Sequence, residues 1–553
     1  MRRKKYTCFT ALMMAAVIGF SMTACQMSGT TSSSGDAKTE QKEETATKTA
    51  YASKIFDTGY VHEVNITIDE DDWEDLKKNP LEKTKYKVDI TIDGETVEDV
   101  SFATKGNTSL SSVASDSDSD RYSFAVNFGK YVDDQNYYGL NKLKLNNIYA
   151  DATYMKEYIS YQIFRKVGVE APLASYVNLT VNGESQGLYL ALEDMGESYL
   201  DRTQDGEGEL YKPETENLGN MGKDMKKGEK SGDEKQSEDG TQTSTDEERP
   251  EPPADGERPE MPADGERPEM PEGGKFPGNG NFQPGDFGNA KGADLNYTDD
   301  EISSYSDIFD NAETDGDESD YKRVIAALKG LSEGKDLEQY LDTDEIIRYF
   351  VAHNFVLNYD SYTGSMLHNY YLYETEGKLS MLPWDYNLAF GGFGGFGKAG
   401  DGSDATSLVN TGIDSPLSGT NEGNRPMWNF IASNKEYLEK YHQVFDELIK
   451  EYFESGEFEK EIEEIYNMIK PYVEKDATAF YTSEEFEAGY ETLKQVITLR
   501  AESIRAQLEG NLSTVSDKQE TSAQIQAADV DIQKMGSQGG GKDKKNENIA
   551  GGR

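Results

Sequence analysis

The chain has 553 residues and a formal net charge of −48, with 56 Lys and Arg against 104 Asp and Glu. That length predicts two or three folded units, and such acidity repels phosphate backbones, so no nucleic-acid partner is expected. The two cysteines, Cys8 and Cys25, both fall in the N-terminal leader, leaving the mature chain without a disulfide or a cysteine metal site.

Arg2-Arg3-Lys4-Lys5, an apolar run from Phe9 to Phe20 and the small residues before Cys25 form a secretory signal over residues 1–25. Cys25 after Thr-Ala resembles a bacterial lipobox, with Met22 where Leu is usual. Its lipidation would tether the protein to the extracellular face of the bacterial cell membrane without spanning it. A plain secreted protein with a coincidental cysteine is the alternative. Residues 26–52, rich in Ser, Thr, Lys and Glu, read as a disordered tether.

Globular patterning begins near residue 53. Val64, Ile66 and Ile68 alternate with polar residues as in a half-buried strand, and Asp69–Lys78 reads as a short acidic helix. Tyr86–Ile92 is a second strand turning at Asp93-Gly94. Phe102 leads to Thr104-Lys105-Gly106-Asn107-Thr108-Ser109, where a cation and hydroxyls beside glycine could approach a phosphate or form a bare turn. Tyr122–Phe128 and Leu143–Leu145 are further strands, with Lys142 and Lys144 sharing one face. Ala152–Val167 is an amphipathic helix carrying Glu157, stopped by Gly168. A hairpin then turns at Asn182-Gly183. Residues 213–296 hold ERPEPPADG, ERPEMPADG and ERPEMPEGG in tandem, a Pro/Gly/Glu-rich insert that cannot bury a core and is expected to be disordered.

Helical patterns resume at Tyr321–Leu331 and from Asp342, a capping residue with Glu345 three places on. His353 to Gly392 then reads as a helix end, a loop with Asp360, a strand over Tyr370–Tyr373, a turn at Glu376-Gly377 and a return strand over Leu379–Leu382. Antiparallel pairing about that turn sets Asn369 opposite Trp384-Asp385. Asp360, Asn369 and Asp385 would then converge as oxygen ligands for a hard cation such as Mg2+, or serve as ordinary turn residues. Helices run on to about Leu508, and residues 511–553 read as a disordered tail. The four histidines lack zinc spacing, and His353 and His368 are assigned structural roles.

Three stretches resemble the CotH family of spore-coat and secreted kinase-like proteins: Gly139 to Leu200 (GLNKLKLNN, YMKEYISYQIFRKVGVEAP, YVNLTVNGESQGLYLALED), HNYYLY with LPWDYNLAFGG, and Pro426–Asn429 with ITLRAESIRAQL. The resemblance implies an α+β, atypical protein-kinase-like two-lobe fold, with a β-rich N-lobe at 53–212 and a mostly helical C-lobe at 297–510. It also implies transfer of phosphate from ATP to Ser or Thr of secreted or spore-coat proteins, with ATP and Mg2+ as cofactors. By analogy with a protein-kinase centre, Asp385 would bind the metal, and Asn369 would add a ligand or steady Asp360. Asp360 would orient or deprotonate the acceptor hydroxyl. Lys144 paired with Glu157 would face the nucleotide phosphates, with Lys142 and Lys105 as alternatives and a surface salt bridge as the non-functional reading. The rival to this enzyme is a non-catalytic cell-surface scaffold or binding lipoprotein.

Overall fold

The structure, a computed structural model, describes residues 49–215, 291–393 and 405–538. The leader with Cys25, nearly all of the tether, the Pro-rich repeats and the glycine-rich stretch at 394–404 lie outside the described residues.

The alternating segments of the first half form seven strands: β1 (His62–Thr67), β2 (Tyr86–Ile92), β3 (Glu95–Lys105), β4 (Ser123–Asn127), β5 (Lys142–Asn146), β6 (Ala174–Val181) and β7 (Glu184–Glu193). They close into a barrel in the order β1-β2-β3-β4-β5-β7-β6. Six of the seven contacts are antiparallel; β1 and β6 pair in parallel, Val64 against Leu179, and this pairing closes the ring. Closure leaves no open sheet edge. Ile66, Ile90, Phe102, Phe124, Leu143, Leu145 and Leu179 fill the interior, all fully buried. The Asn182-Gly183 turn forms as read, with φ of 51° and 82°.

The outer face of β6 and β7 is covered as well. Tyr176, Leu188, Leu190 and Leu192 join a second core with Tyr158, Ile159 and Phe164 of the helix Lys156–Lys166 and with the later helices. β7 is therefore buried on both faces, which explains its nearly continuous apolar run. Beyond the barrel lies a three-stranded sheet, β8 (Glu209–Tyr211), β9 (Tyr370–Thr375) and β10 (Lys378–Pro383), ordered β10-β9-β8. Helices Glu318–Glu333, Thr343–Val356, Lys435–Leu448, Glu457–Val473 and Ser483–Leu508 pack around it.

This architecture corrects the expected kinase-like two-lobe fold. The β-rich half is a closed barrel rather than a small open lobe, and the described residues belong to one unit beginning at Thr45. β8 precedes the insert yet pairs with β9 after it, Tyr211 against Leu372, so the boundary drawn at 212 runs through a sheet. The tail is also corrected in part: residues 511–538 pack, with Leu512, Ala527, Val530 and Met535 buried. The 152–167 helix starts only at Lys156, because the Asp151 carboxylate holds Thr153 N and Lys156 N in a preceding loop.

A buried ion pair joins barrel and helices. Arg121 Nη1 lies 2.5 Å from Asp476 Oδ2, and both side chains are 1% exposed. Asp476 also accepts from Leu188 N at 3.0 Å and Thr478 N at 2.9 Å. Gly187 leaves room for it: φ is +90°, and a Cβ there would stand 2.1 Å from the carboxylate. Removing one partner of a buried pair strands the other charge, at about 3–5 kcal/mol. Asp476→Ala should therefore lower the stability of the full chain by about 3 kcal/mol or more; an unchanged urea midpoint would contradict this role.

Candidate functional site

The small sheet sets the site. β9 and β10 meet at Glu376-Gly377, with φ of 50° and 84°, as the two-residue turn requires. Their register pairs Tyr370 with Pro383, so one step further Asn369 faces Trp384 and the next step sets His368 against Asp385. Asn369 and Asp385 are both left-handed, φ 57° each. That backbone is uncommon outside glycine and least costly for Asn and Asp. It ends each strand abruptly at the same edge of the sheet.

Asp360 follows the helix Thr343–Val356, which Asp342 caps through Glu345 N at 3.0 Å and which stops at left-handed Leu357. Asp360 Oδ1 is 2.7 Å from His368 Nε2. Asn369 Nδ2 donates to the Asp360 carbonyl at 2.8 Å and to Oδ2 at 3.2 Å. Asn369 thus steadies Asp360, one of the two roles open to it, while its own amide oxygen accepts no hydrogen bond among the described residues. Burial lowers the His368 pKa, but Asp360, with Asp385 and Glu214 adding, outweighs it and the net shift is upward.

Asp385 is held by its backbone. Its N–H donates to Tyr161 Oη at 3.1 Å, and its carbonyl accepts from Asn358 Nδ2 at 3.2 Å. Neither carboxylate oxygen accepts a hydrogen bond among the described residues. Burial raises the pKa of this carboxyl; Lys105 opposes, Asp360 adds, and Lys212 and His368 oppose further.

The cation that acts most strongly on Asp385 arrives from the barrel. Lys105, the last residue of β3, donates to Asn146 Oδ1 at the end of β5. Asn146 Nδ2 donates to Glu157 Oε2 at 3.0 Å, and Tyr161 Oη donates to Glu157 Oε1 at 3.0 Å. A relay of polar contacts thus runs Lys105–Asn146–Glu157–Tyr161–Asp385. Burial pushes Lys105 down to about 8, with Asp385 and Glu157 supporting its charge and Lys144 and Lys212 opposing it. Burial pushes Glu157 up to about 7, with Asp385 adding and Lys105 opposing.

The expected Lys144–Glu157 pair does not form. Leu143 and Leu145 point into the barrel, so Lys142 and Lys144, which alternate with them, point out, as their shared face predicts. There Lys144 Nζ is 2.9 Å from Asp194 Oδ1, and Lys142 Nζ is 3.5 Å from Oδ2. Lys105, held as an alternative, is the lysine tied to Glu157 through Asn146. His353 is structural: it lies between Tyr386 Oη at 2.7 Å and Thr363 Oγ1 at 2.6 Å, and burial lowers its pKa to about 3. His368, expected in the same role, contacts Asp360 instead. Sequence reasoning also missed Asn146, Tyr161, Asp194 and Lys212. Asn146 and Tyr161 lie inside the quoted family-like blocks, whereas no local pattern marks Lys212.

Among the described residues, no cluster of three or more His, Cys, Asp or Glu is placed to hold a metal. The oxygens that remain are sparse: the Asp385 carboxylate without a donor and the Asn369 amide oxygen. Such a set suits Mg2+, which takes one or two protein ligands and fills its shell with water and substrate phosphate.

A family model described as CotH kinase protein matches residues 102–251 and 277–504, more than half of the chain. The chain is also similar to Inner spore coat protein H of Bacillus subtilis (strain 168), 30% identical over 73 residues, covering 13% of this chain and 20% of that protein. Against Inner spore coat protein H-like protein of the same organism it is 39% identical over 56 residues, covering 10% and 18%. The matched stretches thus span about a fifth of the length of these relatives.

The folded protein holds the Glu157 proton to higher pH than the unfolded chain, in which its pKa is 4.5. The stability this contributes is full below pH 4.5 and lost as pH rises to about 7. Glu157→Gln should remove that loss, so the variant gains on the wild type between those two pH values. Parallel urea midpoints across the range would contradict it.

Proposed function

The chain belongs to the CotH kinase protein family, and on that premise we propose that it transfers phosphate from ATP to Ser or Thr hydroxyls of secreted or coat proteins. The observation that carries this reading is Asp385: a half-buried carboxylate on left-handed backbone, without a hydrogen-bond donor among the described residues, on which the half-buried Lys105 acts more strongly than any other cation. A carboxylate in that condition is costly unless a cation compensates it, and perturbed acids of this kind gather at functional sites.

Magnesium-bound ATP would supply the transferable phosphoryl group. Asp385 and the Asn369 amide oxygen would hold the metal. Among the described residues Lys105 hydrogen-bonds the neutral amide of Asn146 and no carboxylate, which leaves its charge for phosphate; Glu157 fixes that amide. Asp360, gripped by His368 and Asn369, would orient the acceptor hydroxyl. Phosphoryl transfer depends chiefly on positioning and charge, so a short set of groups suffices. Lipid on Cys25 would place this chemistry at the outer membrane-facing surface of the cell, and the names of the two relatives favour a coat or secreted acceptor.

The test is Mg2+-dependent ATP binding and labelling by the full chain. ATP with Mg2+ at 100 times its Kd should stabilise the wild type by about 2.7 kcal/mol. Asp385→Asn keeps the shape and removes the charge; it should abolish that shift and cut labelling by γ-phosphate-labelled ATP about 100-fold or more. Equal labelling in the two proteins, or none in either, would overturn the proposal.

A further inference from the structure

We infer that Lys212 is a second phosphate-binding cation of this site, delivered by β8, and that the site takes a polyphosphate chain rather than a single phosphate group. The inference rests on the nucleotide reading above, and the experiment below separates the two.

Topology makes the first part of the case. β8 and β10 flank β9 and both run antiparallel to it. The end of β8, the start of β9 and the end of β10 therefore lie at one edge of the sheet. β10 ends at Pro383, two residues before Asp385, and β9 begins after Asn369. Tyr211 pairs with Leu372 as the last pair of β8 with β9, so Lys212 and Glu214 follow directly at that end of the sheet, where Glu214 acts on His368. Two anchors fix the segment: Lys212 N donates to the Asn311 carbonyl at 2.9 Å, and Tyr211 is fully buried and bridges to Ala312.

Electrostatics makes the second. Lys212 acts on Asp385 and on Lys105. Lys105 also feels Lys144, so two further lysines act on the one that opposes Asp385, in a chain whose net charge is −48. Gathering like charges is unfavourable unless an anion joins them. Lys105 enters from the barrel and Lys212 from the small sheet. A ligand that neutralises both meets side chains from two elements, and a row of phosphates offers each lysine its own anionic group.

The present partner of Lys212 is replaceable. Its Nζ is 2.6 Å from Glu214 Oε1, with the two side chains 25% and 33% exposed. A solvent-reached pair of this kind contributes little to stability, whereas ammonium–phosphate contacts are among the stronger hydrogen bonds. Lys212 can therefore exchange Glu214 for phosphate.

Isothermal titration of the full chain with ATP, AMP and inorganic tripolyphosphate, each with Mg2+, tests this. Lys212→Gln should weaken ATP and tripolyphosphate about tenfold or more and change AMP little. Lys212→Arg keeps the charge and should restore most of the affinity. ATP and tripolyphosphate binding equally to Lys212→Gln and wild type would overturn the inference and leave the nucleotide reading standing. Lys212-dependent tripolyphosphate binding without ATP binding would uphold the inference and remove the nucleotide reading. A wild type that binds none of the three overturns both.

Discussion

The buried Glu157 carboxyl is the contact on which the site's shape depends. It is 5% exposed, and burial drives its pKa upward, so the fold must satisfy both oxygens from fixed donors. One donor, Asn146, closes β5 and receives Lys105 from β3; the other, Tyr161, receives the backbone N–H of Asp385. Barrel, helix and hairpin are therefore registered to one another through a single side chain. Moving Glu157 moves the lysine and the acid together, because each reaches it through one intermediate.

The helix that carries Glu157 is itself clamped at its start. Lys156 is fully buried, and its ammonium donates to the Gly536 carbonyl at 2.7 Å. Ala152 N donates to the Met535 carbonyl at 3.1 Å. Gly536 seats closely, since a Cβ there would lie 2.8 Å from Ala152 N, and its φ of +75° suits glycine. The segment after the last long helix is thus part of the frame that positions Glu157. At the same end of the barrel, one residue past Asn146, Arg121 donates to the Asn147 carbonyl and makes a second weld with Asp476. A closed barrel with no free edge, buried outside along β6 and β7, gives these contacts a rigid base.

Local physics was legible and distant pairing was not. Apolar patterning located β1, β2, β4 and β5 but not β3, Asn182-Gly183 and Glu376-Gly377 located the hairpins, and Asp342 located a helix start. The antiparallel argument about Glu376-Gly377 brought Asn369 to the end of β10 as stated. The parallel β1–β6 contact joins segments more than a hundred residues apart and leaves no local trace, so barrel closure was missed and a two-lobe fold expected. The same blindness hid β8, whose partner lies beyond the insert. It also misassigned Lys144: its face was right, but Asp194 arrives through the β5–β7 pairing, in which Leu143 faces Glu193. Burial is likewise a property of the assembled fold, so nothing local distinguished Lys105 from Lys144.

Two carboxylates from neighbouring segments receive opposite treatment. Asp360 is satisfied on both oxygens, by His368 and by Asn369, which fixes its direction. Asp385 is secured through its peptide group, while among the described residues its half-buried carboxylate oxygens have no donor. Folding alone would favour pairing the second acid, since a buried unpaired carboxylate opposes stability. Asn369 turns its amide N–H toward Asp360 and offers none to Asp385, so the nearest amide donor is committed elsewhere. Different environments give chemically identical groups different roles: the satisfied acid suits orienting a hydroxyl, and the unsatisfied one suits a metal cation. The lysines around Asp385 complete that division, because they supply charge to the cleft without donating a hydrogen bond to the acid itself.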